Sequence, residues 1–443
     1  MFDPSGNSRT FGSFGFSQNT FNSESTGQRR ISANLPEQTR FFDVCLFIVW
    51  VIASLLLIKS TDSEGSGSSD TPSGLGALGY LVAFAVVIVE RRTAVSYLRG
   101  SLPLVLILLV AGLSAVFSET PAYAAVQSLH LIGSSFIALA LVCRLGLKGF
   151  LKMLVVLTMI EATLSVALII ALPQLGIMNT GEWQGMFWNK NGLGAAMLVG
   201  MIAVACVGDG LKRPAYQVPA FVFFLTLLIG SRSGTPLVAA TVVALAYPFA
   251  LWCRGRQNRK LLFGALALPV VAVSLIGIVT DNDLSTLLTV VGKDPTLTGR
   301  TDLWQDLLTA IAYRPFLGYG YGVYWSPDGP AAGFLSKAVA WDPGEAHNGY
   351  LDVALNTGIV GVALLFFFLA VALRRAFAMF WSGRDGLAAW PLLMTVSMII
   401  INFSETQFEH AHSDLWIMAI VAFLFATGAR NEARAIPVHE SVA

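Results

Sequence analysis

The residue best suited to chemistry in this chain is His347, in Glu345-Ala346-His347-Asn348. An imidazole titrates near neutral pH, so it can take a proton from an attacking hydroxyl. Asn348 or Glu345 could orient that ring. Three arginines supply complementary chemistry. Arg232 stands in Gly230-Ser231-Arg232-Ser233-Gly234, Arg300 in Thr298-Gly299-Arg300-Thr301-Asp302-Leu303-Trp304, and Arg314 directly precedes Pro315. A guanidinium keeps its charge and grips phosphate oxygens with a bidentate fork. A helix N-terminus adds backbone donors for the same anion, so Arg300 is well placed for a diphosphate. The plainer reading of each arginine is an interfacial side chain that snorkels or pairs with a neighbouring Asp. A lone loop histidine is likewise more often structural, and the pattern around His347 must decide.

These residues need a scaffold, and composition identifies it. The 443 residues are 55% hydrophobic and 12% charged, against about 25% charged in a soluble domain. A net charge of +1 leaves no footprint for nucleic acid. The fold class is therefore an all-α polytopic membrane protein. Roughly 17–22 apolar residues suffice to cross the bilayer core. Such runs lie near 41–59, 74–90, 101–117, 122–143, 150–172, 190–208, 214–230, 234–252, 261–280, 348–373, 388–403 and 414–429, about twelve spans. Residues 1–40 read as a disordered cytoplasmic tail rather than a signal peptide. Residues 41–280 then hold nine spans, 281–346 a large outer loop, 347–429 three spans, and 430–443 a cytoplasmic tail.

Lys and Arg are enriched in cytoplasmic loops. With the N-terminus inside, the outer segments hold only Lys59, Lys190, Arg232, Lys293, Arg300, Arg314 and Lys337, and the remaining 21 of 28 basic residues fall inside. Both termini are thereby expected in the cytoplasm. Cys45, Cys143, Cys206 and Cys253 all fall at inner span ends, where they read as small apolar side chains rather than a disulfide framework.

The long outer loop is the natural place for function. Leu303, Trp304, Leu307, Leu308 and Ile311 recur at helical spacing and predict an amphipathic helix, capped by Thr298 or Thr301 and ended by Arg314-Pro315. Gly318, Gly320 and Gly322, interleaved with Tyr319, Tyr321, Tyr324 and Trp325, follow as a tight aromatic loop. Its rings could stack on sugars or form an interfacial aromatic belt. Past His347, Gly358 and Gly361 return within roughly 40° of its direction on a continuous helix. That face, with Ala354 on nearly the same line, would admit a neighbouring helix or a lipid chain.

His347-Asn348, nine residues, then Gly358-Ile359-Val360-Gly361 resembles the histidine–glycine motif of the bacterial O-antigen ligase and polymerase family. Gly299-Arg300 with Trp304, then Arg314-Pro315-Phe316-Leu317-Gly318-Tyr319-Gly320, resembles that family's outer loop. Ser231-Arg232-Ser233-Gly234 and Asn189-Lys190-Asn191-Gly192-Leu193 resemble its earlier landmarks. The resemblance runs from about residue 185 to 420. Ser404-Glu405 makes the chain look most like the exopolysaccharide polymerases of the succinoglycan type.

The resemblance implies an integral-membrane glycosyltransferase fold in the bacterial inner membrane. The implied reaction transfers glycan from an undecaprenyl-diphosphate-linked oligosaccharide donor to a glycan acceptor at the periplasmic face. His347, Arg300 and Arg232 would be catalytic. Arg314, Asn348, Glu345, Trp304, Tyr319, Tyr321, Gly358 and Gly361 would bind substrate. Membrane lipid, a chain-length regulator and export proteins would be further partners.

No aspartate-rich metal motif or nucleotide-sugar fold is visible, so neither a cofactor nor an obligatory metal is expected. His410 and His412 with Glu405 or Glu409 could bind a divalent ion, although a polar outer turn is the plainer reading. An O-antigen ligase is the alternative within the family. A transporter is the alternative outside it, with Glu161 in the fifth span as its mark.

Overall fold

The computed structural model describes residues 74–207, 214–253, 300–335, 343–383, 386–410 and 413–435. The expected spans 41–59 and 261–280, and residues 281–299 of the outer loop, lie outside them. So do His412 and the proposed cap Thr298. Among the described residues the structure is all helical, with no strand beyond an isolated bridge between Ile177 and Trp183.

The main helices, in chain order, are α1 (Gly74–Val89), α2 (Arg91–Arg99), α3 (Leu102–Leu113), α4 (Pro121–Ala171), α5 (Lys190–Val207), α6 (Pro214–Ser231), α7 (Gly234–Cys253), α8 (Arg300–Tyr313), α9 (Gly349–Ser382), α10 (Trp390–Ile401) and α11 (Asp414–Ala435). Each apolar run read from the sequence within the described residues becomes helix. The fourth and fifth runs join as α4, which breaks at Gly146 (φ 59°), a conformation glycine tolerates. The α4, α5 and α9 helices are each long and apolar enough to cross a membrane. The α2–α3 pair, bent by 93°, could make a broken fourth, and the other apolar helices are shorter. The described chain is that of an integral membrane protein.

The α4 helix packs on α1, α5 and α11; α9 packs on α3, α10 and α11; and α7 lies against α10. Phe150, Phe224, Phe368, Phe380, Trp390 and Trp416 are fully buried between them. The loop helix α8 is amphipathic as its spacing predicts. Leu303, Leu307 and Ala310 are buried against Tyr319, Tyr324, Ala346 and Leu355, while Leu308 is exposed. It ends at Tyr313, immediately before Arg314-Pro315.

The α9 helix is not the continuous cylinder that the His347–Gly361 spacing presumes. Asn348 is its N-cap, with Oδ1 accepting from Tyr350 N (3.0 Å) and Leu351 N (3.2 Å). His347 therefore precedes the helix. Eleven residues after His347, Gly358 departs from helical geometry (φ 64°, ψ −158°). The opened turn takes in the aromatic loop: Tyr319 N donates to Leu355 O (2.8 Å), Gly320 N to Asn356 O (3.1 Å) and Ile359 N to Pro315 O (2.8 Å). A Cβ on Gly358 would collide with the backbone of Phe316 and Leu317. The glycine therefore serves a backbone-to-backbone dock rather than a smooth face for lipid. Gly361 is buried on the far side of the break, where a Cβ would meet Thr357.

Candidate functional site

The site forms where α9 begins, where α8 begins, and where the chain turns between α10 and α11. Asn402 organises that turn. Its Nδ2 donates to Met398 O (2.8 Å), and its Oδ1 accepts from Gln407 N (2.9 Å) and Phe408 N (2.7 Å). The start of α9 is fastened to the same turn: Gly349 N donates to Asn402 O (2.9 Å) and Glu405 O (3.1 Å), and Asn348 Nδ2 to Phe403 O (3.3 Å). From the loop side, Trp304 Nε1 donates to Ala346 O (3.0 Å). His347 is thus held on both flanks. It has φ 47°, and among the described residues the other non-glycine positions with positive φ are Arg232 (49°) and Glu409 (53°). Such backbone costs about 1–3 kcal/mol and persists only where the surroundings impose it, commonly at functional sites.

Glu405 is the hub. Its Oε1 accepts from Arg300 NH2 (3.2 Å) and from Asn191 Nδ2 (2.7 Å). Its Oε2 lies 3.8 Å from His347 Nδ1, and Glu345 Oε1 lies 3.0 Å from that same nitrogen. Arg300 NH1 also donates to Ser404 O (2.6 Å). Asn191 Oδ1 in turn accepts from Ser233 Oγ (2.8 Å), and Ser233 N donates to Ser231 Oγ (3.2 Å). Thr235 and Ser404 share a hydrogen bond through their hydroxyls. Motifs scattered from residue 191 to 405 therefore converge on one carboxylate. The Arg300–Glu405 pair is largely buried, so removing one member would leave a charge uncompensated, a loss of about 3–5 kcal/mol.

Electrostatics follow from this packing. Burial pulls the His347 imidazole pKa down, but the Glu345 and Glu405 carboxylates beside its Nδ1 outweigh it and hold it up at about 9. Burial opposes ionisation of Glu345, yet its hydrogen bond to His347 and the positive charges of His347, His410 and Arg300 leave its carboxyl below the ordinary value. Glu409, fully enclosed beside the site, is pushed up to about 8 by burial. Of the two candidates for orienting the imidazole, Glu345 holds Nδ1 while Asn348 is occupied as a helix cap.

The other sequence candidates take separate places. Ser231 and Ser233 beside Arg232 are buried and tie its turn into the network, while the Arg232 side chain itself is exposed. Arg314 pairs with Glu119 and lies over the Tyr319 ring at 5.1 Å, so in this state its charge is engaged with the loop that follows α3. Tyr319 is buried, and its hydroxyl donates to Ala310 O (2.8 Å). Tyr321 is buried as well; its N donates to Ser114 Oγ (2.8 Å) and its hydroxyl to Glu409 O. Both rings sit in packing rather than on an open stacking face.

Glu345, His347 and Glu405 can each bring one ligand atom within 4.8 Å of the others, a spacing a metal ion could use. Arg300 already supplies the counter-charge to Glu405, which disfavours a second cation there. A cavity of about 320 Å³ opens beside the site, with Glu345, Glu405, Asn191 and His410 among its walls.

Comparison with known proteins matches residues 219–366 to the family model described as O-antigen ligase. The chain is 29% identical over 207 residues to the exopolysaccharide production protein ExoQ of Rhizobium meliloti (strain 1021), covering 44% of this chain and 46% of that protein. It is 26% identical over 219 residues to an O-antigen polymerase of Salmonella muenchen, covering 44% and 49%. The chain spans about half the length of the curated relatives it matches. Arg232, Arg300, His347 and Gly358 all fall within 219–366, and the chain is a relative of the O-antigen ligase and polymerase family, as its motifs imply.

Proposed function

We propose that this protein is a polysaccharide polymerase of exopolysaccharide biosynthesis. It would transfer glycan from an undecaprenyl-diphosphate carrier to an acceptor sugar hydroxyl at the periplasmic face of the bacterial inner membrane. The carrying observation is the placement of His347 and Arg300 on opposite oxygens of Glu405. That arrangement sets a proton acceptor and an anion holder a few ångströms apart. The ExoQ relative supports the exopolysaccharide branch. The finer reading of the fold is a glycosyltransferase bundle of about twelve spans with cytoplasmic termini.

The reaction is an inverting, metal-independent displacement. The acceptor oxygen forms a bond to the anomeric carbon as the bond from that carbon to the diphosphate oxygen breaks. Undecaprenyl diphosphate leaves with the electron pair, and Arg300, aided by Arg232, stabilises its growing charge. His347, oriented through Nδ1 by Glu345, takes the acceptor proton at Nε2. The diphosphate competes with Glu405 for Arg300, so Glu405 holds the anion seat between turnovers.

A ligase would use the same donor chemistry with a lipid A-core acceptor. Surface polysaccharide of a deletion strain separates the two. Loss of long polymer with intact lipopolysaccharide is the expected result; loss of O-antigen attachment with polymer retained would select the ligase.

A further inference from the structure

The cavity beside the site is lined by four carboxyl side chains and one imidazole, His410. Glu345 and Glu405 stand at its polar end, where His347 and Arg300 neutralise them. Glu161 on α4 and Asp414 at the start of α11 also line it, and among the described residues no Lys or Arg does. Glu161 is only 5% exposed and makes no hydrogen bond or ion pair with a described residue. An ionisable group inside a membrane helix is costly, and its presence points to a ligand or a pathway.

The chemistry of the lining sorts the substrates. Among the described residues no Lys or Arg lines the cavity to hold a diphosphate, and Arg300 and Arg232, which would attract it, are not among the lining residues. A neutral polyhydroxyl compound suits the walls. Carboxylates accept from sugar hydroxyls, the Gln407 amide both donates and accepts, and the Phe187 ring offers a face for sugar C–H groups. A divalent cation fits less well. Among the described residues the group with metal-ligand spacing is Glu345, His347 and Glu405, which includes neither Glu161 nor Asp414. The volume, about 320 Å³, is at the lower end of that for small-molecule sites.

Building on the polymerase reading, we infer that this cavity is the acceptor subsite, holding the acceptor sugar so that its hydroxyl meets His347. Glu161 is then a sugar-binding residue, and the donor diphosphate lies on the Arg300 side of Glu405. This reading also gives the intramembrane carboxylate a role without a transport pathway.

The test is calorimetric binding by the full chain in lipid nanodiscs without donor. The probe is the repeat oligosaccharide released by mild acid from the lipid-linked pool of the producing cells. Glu161→Gln replaces the carboxyl by an amide at nearly constant shape, and Ala196→Leu fills the cavity from α5. Each should weaken oligosaccharide binding by about tenfold or more, while binding of undecaprenyl diphosphate stays within about twofold. Unchanged oligosaccharide affinity in both variants, no binding by wild type, or a loss confined to undecaprenyl diphosphate would each overturn the subsite. Turnover assayed on the same samples reports separately on the polymerase reading. Binding that the variants weaken, in a protein that extends no glycan, would sustain the sugar site and remove the polymerase.

Discussion

Arg300 and Glu405 meet at 3.2 Å across the start of α8 and the turn after α10, and this pair decides what the site can hold at rest. Arg300→Lys keeps the charge but loses the fork that also reaches Ser404 O. A loss of turnover of about tenfold or more is expected for Lys and a larger loss for Ala, with membrane insertion unchanged. Polymer formed at wild-type level in cells carrying Arg300→Ala would remove Arg300 from the site.

The pH dependence has a definite sign. His347 is held up at about 9, and only its neutral form accepts a proton. Rate should therefore climb from pH 7 toward 9 and level off above, limited at the top only by protein stability. The same shift makes the folded state favour the charged ring. Its stabilisation is complete below the ordinary imidazole value near 6.5 and is lost as pH rises through 9. A rate that falls over pH 7–9 without unfolding would make the imidazolium the working form.

Glu405→Gln removes one of the two carboxylates that raise His347. The alkaline rise in rate should move to lower pH, because Glu345 alone then opposes the effect of burial. Arg300 also loses its resting partner, so donor affinity should rise. A pH profile that does not move would separate Glu405 from the imidazole.

His347→Gln distinguishes chemistry from packing. General-base assistance is worth about 10²–10⁴-fold, and Gln cannot supply it, so Gln and Ala should be similarly poor while donor binding and melting stay near wild type. Substantial activity in the Gln variant would leave His347 as a positioning residue only.

Gly358→Ala should act on the dock between α9 and the aromatic loop. The residue has φ 64° and its missing Cβ faces the Phe316–Leu317 backbone, so a loss of at least about 1–3 kcal/mol is expected. Gly112→Ala, in α3 with nothing within 4 Å of the added carbon, should be neutral or stabilising by up to about 1 kcal/mol. Limited proteolysis of the 314–335 loop alongside thermal melting reads both effects.

How much was legible in the sequence follows from the range of the forces. Apolar run length fixes helices locally, so α1, α5 and α10 fall within a few residues of their predicted limits. The Leu303–Ile311 spacing likewise predicts α8 and its buried face. The convergence of Arg300, His347 and the Asn191 and Ser233 motifs was legible only through the family resemblance, because no local period links them. Local sequence makes Glu405 part of an outer turn and no more, since its partners Asn191 and Arg300 lie 214 and 105 residues away. The break at Gly358 was hidden for a related reason: a helical wheel assumes a continuous helix, and only the docked loop shows why this one opens. Arg314 pairs with Glu119 from a distant part of the chain, a contact that no local spacing predicts.

The most direct measurement uses purified wild-type protein in nanodiscs with an undecaprenyl-diphosphate-linked oligosaccharide, without ATP or nucleotide sugar. Released undecaprenyl diphosphate and glycan length are followed together. Wild type should release the carrier in step with lengthening of the glycan, and Arg300→Ala and His347→Ala should do neither above about 1% of that rate. A wild-type protein that binds the donor yet forms no longer glycan, or a His347→Ala variant that turns over at the wild-type rate, would contradict it.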